Sequence, residues 1–107
     1  MAAVEPELQH PKTNEFEGEP HGTSVSFIVV DMPPGAGVRL HRHPYAEIFI
    51  VQEGRATFTV GSSTLEVVAP RTLIAPANVA HAFVNAGDTR LKQVDIHLSP
   101  NFITEWL

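Results

Sequence analysis

The sequence predicts an all-β fold, a sandwich or barrel of about eight short strands around one core. Three observations predict it. From Thr23 onward, short β-branched and aromatic runs recur, and Gly, Pro or Asn stops each one. No helical periodicity interrupts them before the last seven residues. The chain has 107 residues, 43% of them hydrophobic, with seven Gly and nine Pro. That is material for one core, and a domain of this size buries roughly two-thirds of its unfolded surface.

The first strand is read over SVSFIVVD (24–31), stopped by Met32-Pro33-Pro34-Gly35. VRLHRH follows up to Pro44, and EIFIVQ is closed by Glu53-Gly54. RATFTV turns at Gly61-Ser62-Ser63 into TLEVV, which ends at Pro70. TLIA lies between Pro70 and Pro76, HAFVN turns at Ala86-Gly87-Asp88, and LKQVDIHL reaches Pro100. In NFITEWL, Phe102, Ile103, Trp106 and Leu107 fall at i, i+1, i+4 and i+5, which predicts one short helical turn pressed on the body. Phe49, Phe58, Ile74 and Phe83 are read as core.

Residues 1–21 carry three Pro and five Glu and read as a mobile arm, with the single domain over 22–107. Phe16 is the residue that could dock the arm. The N-terminal stretch has no apolar core segment, so neither a signal peptide nor an anchor is expected. No run approaches the roughly 18 apolar residues that span a bilayer. The formal charge of −5 and scattered Lys and Arg argue against nucleic acid. The lack of Cys excludes disulfides and thiolate chemistry and agrees with a cytoplasmic location. A small molecule and a second copy of the chain are the expected partners. In Glu47-Ile48-Phe49-Ile50-Val51 both faces of one strand are apolar and both need cover; the N-terminal arm, the C-terminal FITEWL segment or a second subunit could supply it, and a homodimer is the favoured expectation.

Between Gly35 and Gly54, His41, His43 and Glu47 fall within seven residues. Alternate side chains of a strand share a face, so the two imidazoles can converge on one point. Pro44-Tyr45-Ala46 allows a bend that brings the Glu47 carboxylate round, and His81 follows a turn at 76–80. Three imidazoles and one carboxylate suit a divalent transition metal (Zn, Fe, Mn, Ni, Co or Cu) and are too nitrogen-rich for Mg or Ca. A His-x-His pair taken alone is as often mere decoration of a strand.

The wider pattern resembles the cupin superfamily. Its first motif, G(X)5HXH(X)3–4E(X)6G, is met by Gly35, His41, His43, Glu47 and Gly54. Its second, G(X)5PXG(X)2H(X)3N, is met at Pro76, His81 and Asn85, with Pro70 and Asn78 where the family has glycine. Asn is the commonest non-Gly residue at positive φ, so Asn78 can keep the turn. The resemblance implies a double-stranded β-helix, the jelly-roll barrel. It further implies one metal held by His41, His43, Glu47 and His81, with coordination positions left open.

Five more residues are candidates for the pocket. Arg39 shares parity with His41 and could meet an anionic substrate, or equally be a surface arginine. Tyr45 could line the mouth or simply serve a Pro-Tyr turn. Asn85 reads as a pocket amide or, preferably, as a turn residue. Alternation puts Gln93, Asp95 and His97 on one face of the last strand and predicts that this face is solvated. Turned inward, Asp95 and His97 would be proton-transfer groups. His10 and His21 fall in the arm and suggest nothing. Two functions compete: a metal-dependent enzyme (an oxygenase, isomerase or lyase) and a non-catalytic binding or sensing module. A purely structural metal is the weaker third. An enzyme should place at least one of Arg39, Tyr45, Asp95 and His97 in the cavity.

Overall fold

The computed structural model describes residues 14–107. Ten strands form among them: β1 (Glu15–Phe16), β2 (Ser26–Met32), β3 (Gly37–Arg42), β4 (Glu47–Glu53), β5 (Arg55–Val60), β6 (Ser63–Val68), β7 (Arg71–Ala75), β8 (His81–Asn85), β9 (Leu91–His97) and β10 (Glu105–Trp106). The eight longer strands are those read from the sequence. They pair antiparallel in two five-stranded sheets, β1-β2-β9-β4-β7 and β10-β3-β8-β5-β6. From β2 to β9 the chain crosses from one sheet to the other at every step except the β5–β6 hairpin. That winding is a jelly roll.

Period-2 burial sorts the side chains. Along β4, Glu47, Phe49 and Val51 are buried, and along β9 every second residue from Leu91 to His97 is buried. The core is filled from both sheets, by Phe49, Val51 and Leu91 on one side and Ala56, Phe58 and Phe83 on the other. Phe49 meets Phe58 edge-on at 5.1 Å between ring centroids. Gly54, at φ 93, makes the turn from β4 to β5; a Cβ there would press on the backbone of Arg90 and Leu91.

Three expectations are corrected. Ile74 is 61% exposed, because β7 turns Leu73 and Ala75 inward and leaves Ile74 opposite Ile48 on the outer face. The C-terminal run forms no helical turn; Glu105 and Trp106 pair with Arg42 and His41 as an edge strand of the second sheet. From residue 14 onward the expected arm is docked. Glu15 and Phe16 pair with Ile28 and Phe27, Phe16 stacks on Phe27, and a 3-10 turn spans Glu19–His21. The rest of the arm, with His10, lies outside the described residues.

Candidate metal centre

Strand register gathers the site at one end of the barrel. Glu47 opens β4 opposite His97 at the end of β9, and His41 on β3 lies opposite His81 at the start of β8. His43 follows β3, and its carbonyl accepts the Asn78 backbone N–H at 2.7 Å, tying the two motif segments together. Asn78 sits at φ 66, the left-handed region where Asn replaces Gly at least cost. The donor atoms of His41, His43, Glu47 and His81 all lie within 4.8 Å of one another, and all four residues are buried.

The imidazoles are fixed from behind. His41 Nδ1 lies 2.7 Å from the Arg39 carbonyl, His43 Nδ1 2.8 Å from that of Ile103, and His81 Nδ1 3.1 Å from that of Val79. A carbonyl only accepts, so each Nδ1 carries a proton, and in its neutral form each ring turns an Nε2 lone pair to the centre. Glu47 Oε1 lies 3.0 Å from both His43 Nε2 and His81 Nε2. The His43 Nε2 is buried without a partner in hydrogen-bond geometry. Lone pairs facing a carboxylate at that distance repel unless a proton or a cation lies between them. Three nitrogens and one carboxylate oxygen therefore fit a divalent transition metal. No metal is part of the structure described.

Burial raises the Glu47 carboxyl, but the histidines at 43, 81 and 97 override it and hold the group well below the usual carboxylate range. Burial, helped by the neighbouring histidines, lowers His41. Burial also opposes the charge of His43, but Glu47 and the Ile103 carbonyl prevail, so its pKa is raised.

The centre opens into a cavity of about 190 Å³. Its polar lining is His41, His43, Glu47, Asp95, His97 and Thr104; Ile28, Val38, Phe83 and Trp106 supply the apolar wall. The predicted solvated face of β9 is thus inverted: Asp95 is 4% exposed and His97 4%. Alternation fixes which residues share a face, and the register of β9 between β2 and β4 fixes that this face looks in. Asp95 accepts from Gln93 Nε2 at 2.8 Å and, among the described residues, pairs with no cation; burial first, then the Glu47 charge, raises its pKa well above the usual range.

His97 differs from the three donors. Its Nδ1 lies 2.6 Å from the Tyr45 hydroxyl, which itself accepts the Ile103 N–H at 3.2 Å. The hydroxyl can donate to Nδ1, leaving the proton on Nε2, which lies 3.2 Å from Glu47 Oε2. Tyr45 stacks on His43, with centroids 5.0 Å apart, and stays behind the cavity lining.

Arg39 is not in the cavity. A register shift between Val38 and His41 breaks alternation, so Val38 and His41 both face in while Arg39 lies outside over the Trp106 ring. Asn85, the last residue of β8, is buried and holds the turn that follows, donating to the carbonyls of Met32 and Thr89 and accepting the Gly87 N–H. The lining residues Thr104 and Trp106 escaped the sequence reading, because their segment carries a helix-like spacing and reveals its pairing only in three dimensions.

Among the described residues no helix is long and apolar enough to cross a membrane. The sequence profile of the cupin domain matches residues 28–97. Polyketide synthase CurC from Streptomyces cyaneus is 39% identical over 81 residues, 74% of this chain; the aligned part is 52% of CurC, about half its length. Oxalate oxidase in complex with the substrate analogue glycolate superposes with a TM-score of 0.78 at 25% identity, over 88% of this chain and 53% of that one. A cupin-like protein from Thermotoga maritima gives 0.77 at 24% identity, over 86% and 71%.

Proposed function

This chain belongs to the cupin domain family, and on that premise we propose that it is a metal-dependent enzyme acting on a small molecule that presents two neighbouring oxygens. One observation carries the reading. Asp95 and His97 line the same cavity as His41, His43 and Glu47, three of the four donors. A binding or sensing module, the competing function, has no need of a buried carboxylic acid and a fourth imidazole facing its ligand.

A bound divalent ion would act as a Lewis acid and leave positions for substrate oxygens. His41, His43, Glu47 and His81 would hold it. His97 keeps the second Glu47 oxygen in place. Ile28, Val38 and Phe83 exclude water from the substrate's carbon skeleton. Asp95, buried in the cavity wall, is suited to give or take a proton at a substrate oxygen or an adjacent carbon.

The substrate class rests on the relatives. CurC bears a polyketide synthase name, and glycolate is held by the oxalate oxidase. A chain of alternating ketones and an α-hydroxy acid share a pair of oxygens spaced to chelate one ion. The identity to CurC favours a β-dicarbonyl. The test is titration of the cobalt(II)-loaded protein with acetylacetone. A saturable change in the visible spectrum, absent with the monoketone acetone, is expected. An unchanged spectrum at saturating acetylacetone would contradict the reading.

We also propose that a second copy covers the outer face of the β1-β2-β9-β4-β7 sheet. The pairing places Phe27, Ile96, Ile48 and Ile74 in one row across that face and Val29, Val94 and Ile50 in the next. A cytoplasmic location accords with the lack of Cys.

A further inference from the structure

We propose that the C-terminal segment, residues 99–106, is a working part of the site: the Ile103 carbonyl positions His43, and Thr104 and Trp106 set the size of ligand the cavity admits. This rests on the metal-centre reading above.

The three donor histidines are not held alike. His41 and His81 each give their Nδ1 proton to the carbonyl two residues earlier in their own stretch of chain, Arg39 and Val79. That support persists whenever the local strand is formed. His43 alone takes its acceptor from far along the chain, at Ile103. With Ile103 withdrawn, the His43 ring loses the partner that fixes both its tautomer and its angle. Thr104 Oγ1, 3.4 Å from the same nitrogen, lies on the same segment and is no independent substitute.

The segment is anchored at its start, where the buried Ser26 hydroxyl donates to the Ser99 carbonyl at 2.8 Å and Phe102 packs edge-on against His97, and beyond that it is fastened mainly by polar tethers. On one side, Glu19 N–H donates to the Pro100 carbonyl at 2.8 Å, and Glu17 Oε2 accepts the Phe102 N–H at 3.1 Å. On the other, Tyr45 accepts the Ile103 N–H and Arg42 pairs with Glu105 at 2.8 Å. Ile103 and Trp106 are each 51% exposed, and β10 is two residues long. Few buried contacts and exposed backbone hydrogen bonds are the marks of a region that opens below the global unfolding free energy.

The same segment closes the cavity. Apart from His43, which directly follows β3, Thr104 and Trp106 are the lining residues that the barrel strands β2 to β9 do not supply. Trp106 sits 4.9 Å from the His41 ring. One movement of the segment therefore does two things: it widens the mouth, and it frees a ligand imidazole. By linkage, a metal that binds the docked form better must in turn hold the segment down.

Hydrogen exchange of the peptide covering 98–107 tests the coupling in the unmodified chain. With zinc loaded, its amides should exchange about tenfold more slowly than after chelator treatment. Glu17→Ala cuts tethers far from the donor atoms and should speed zinc transfer to a chromophoric chelator about tenfold. Arg90→Ala, which loses only its contact to Asp31 at the opposite end of the barrel, should not. Asn101→Ala, which removes the amide held by Glu17 and Glu19, repeats the test if Glu17→Ala does not fold. Trp106→Ala in the cobalt-loaded protein should shift relative affinity about tenfold from acetylacetone toward dibenzoylmethane. Exchange indifferent to zinc, with release from Glu17→Ala at the wild-type rate, overturns this proposal alone. Wild-type protein that takes up no zinc overturns the metal reading and this one with it.

Discussion

At His97 the position of one proton separates a residue that can bind a metal from one that holds its ligand. The three donors spend Nδ1–H on carbonyls, whereas His97 meets a hydroxyl there and keeps Nε2 for Glu47. His97→Phe should therefore lower metal affinity about ten- to a hundredfold without abolishing binding, read by competition with a chelator of known strength. Asp95 gives a pH signature. Its folded pKa is raised, so its stability is fully present below the unfolded value and is lost as pH rises through the folded one. In chelator-treated protein, Asp95→Asn should melt above wild type at pH 8, with the gap closing at pH 4. A gap of constant size would mean that Asp95 is ionised in the fold. The donor residues could be read from the chain because their spacing is itself the signal. Asp95, His97 and Arg39 could not. Parity does not say which face turns inward, and the shift between Val38 and His41 leaves no mark in the residue types.

β3 matters most among the elements, since it carries His41 and leads directly into His43. Its contact with β8 depends on Gly37, where a Cβ would run into the Phe83 carbonyl and the Val84 Cα. Gly37→Ala should cost about 2–4 kcal/mol in urea unfolding and lower metal uptake together. Phe49→Ala should cost about 3–5 kcal/mol by leaving a cavity beneath His81. The strands were readable because Pro and Gly punctuate them almost residue by residue. β10 was not: two residues show no alternation, and their pairing with Arg42 and His41 is a long-range choice.

For the whole molecule, the winding of strands brings the starts of β4 and β8 and the ends of β3 and β9 to one rim. The motifs announced that rim; the outer face of the β4-bearing sheet was announced only as an apolar strand needing cover. Sedimentation should give a dimer for wild type, and Ile74→Glu, at an exposed position of that face, should give a folded monomer. A wild-type monomer would remove the second copy from the account. The central claim is that four residues from three strands and one turn hold one metal ion. The most direct test is metal analysis of protein purified without chelators, wild type beside His81→Ala. The account predicts about one equivalent of divalent transition metal in wild type and less than about a tenth of that in the variant. Equal metal content in the two proteins would contradict it.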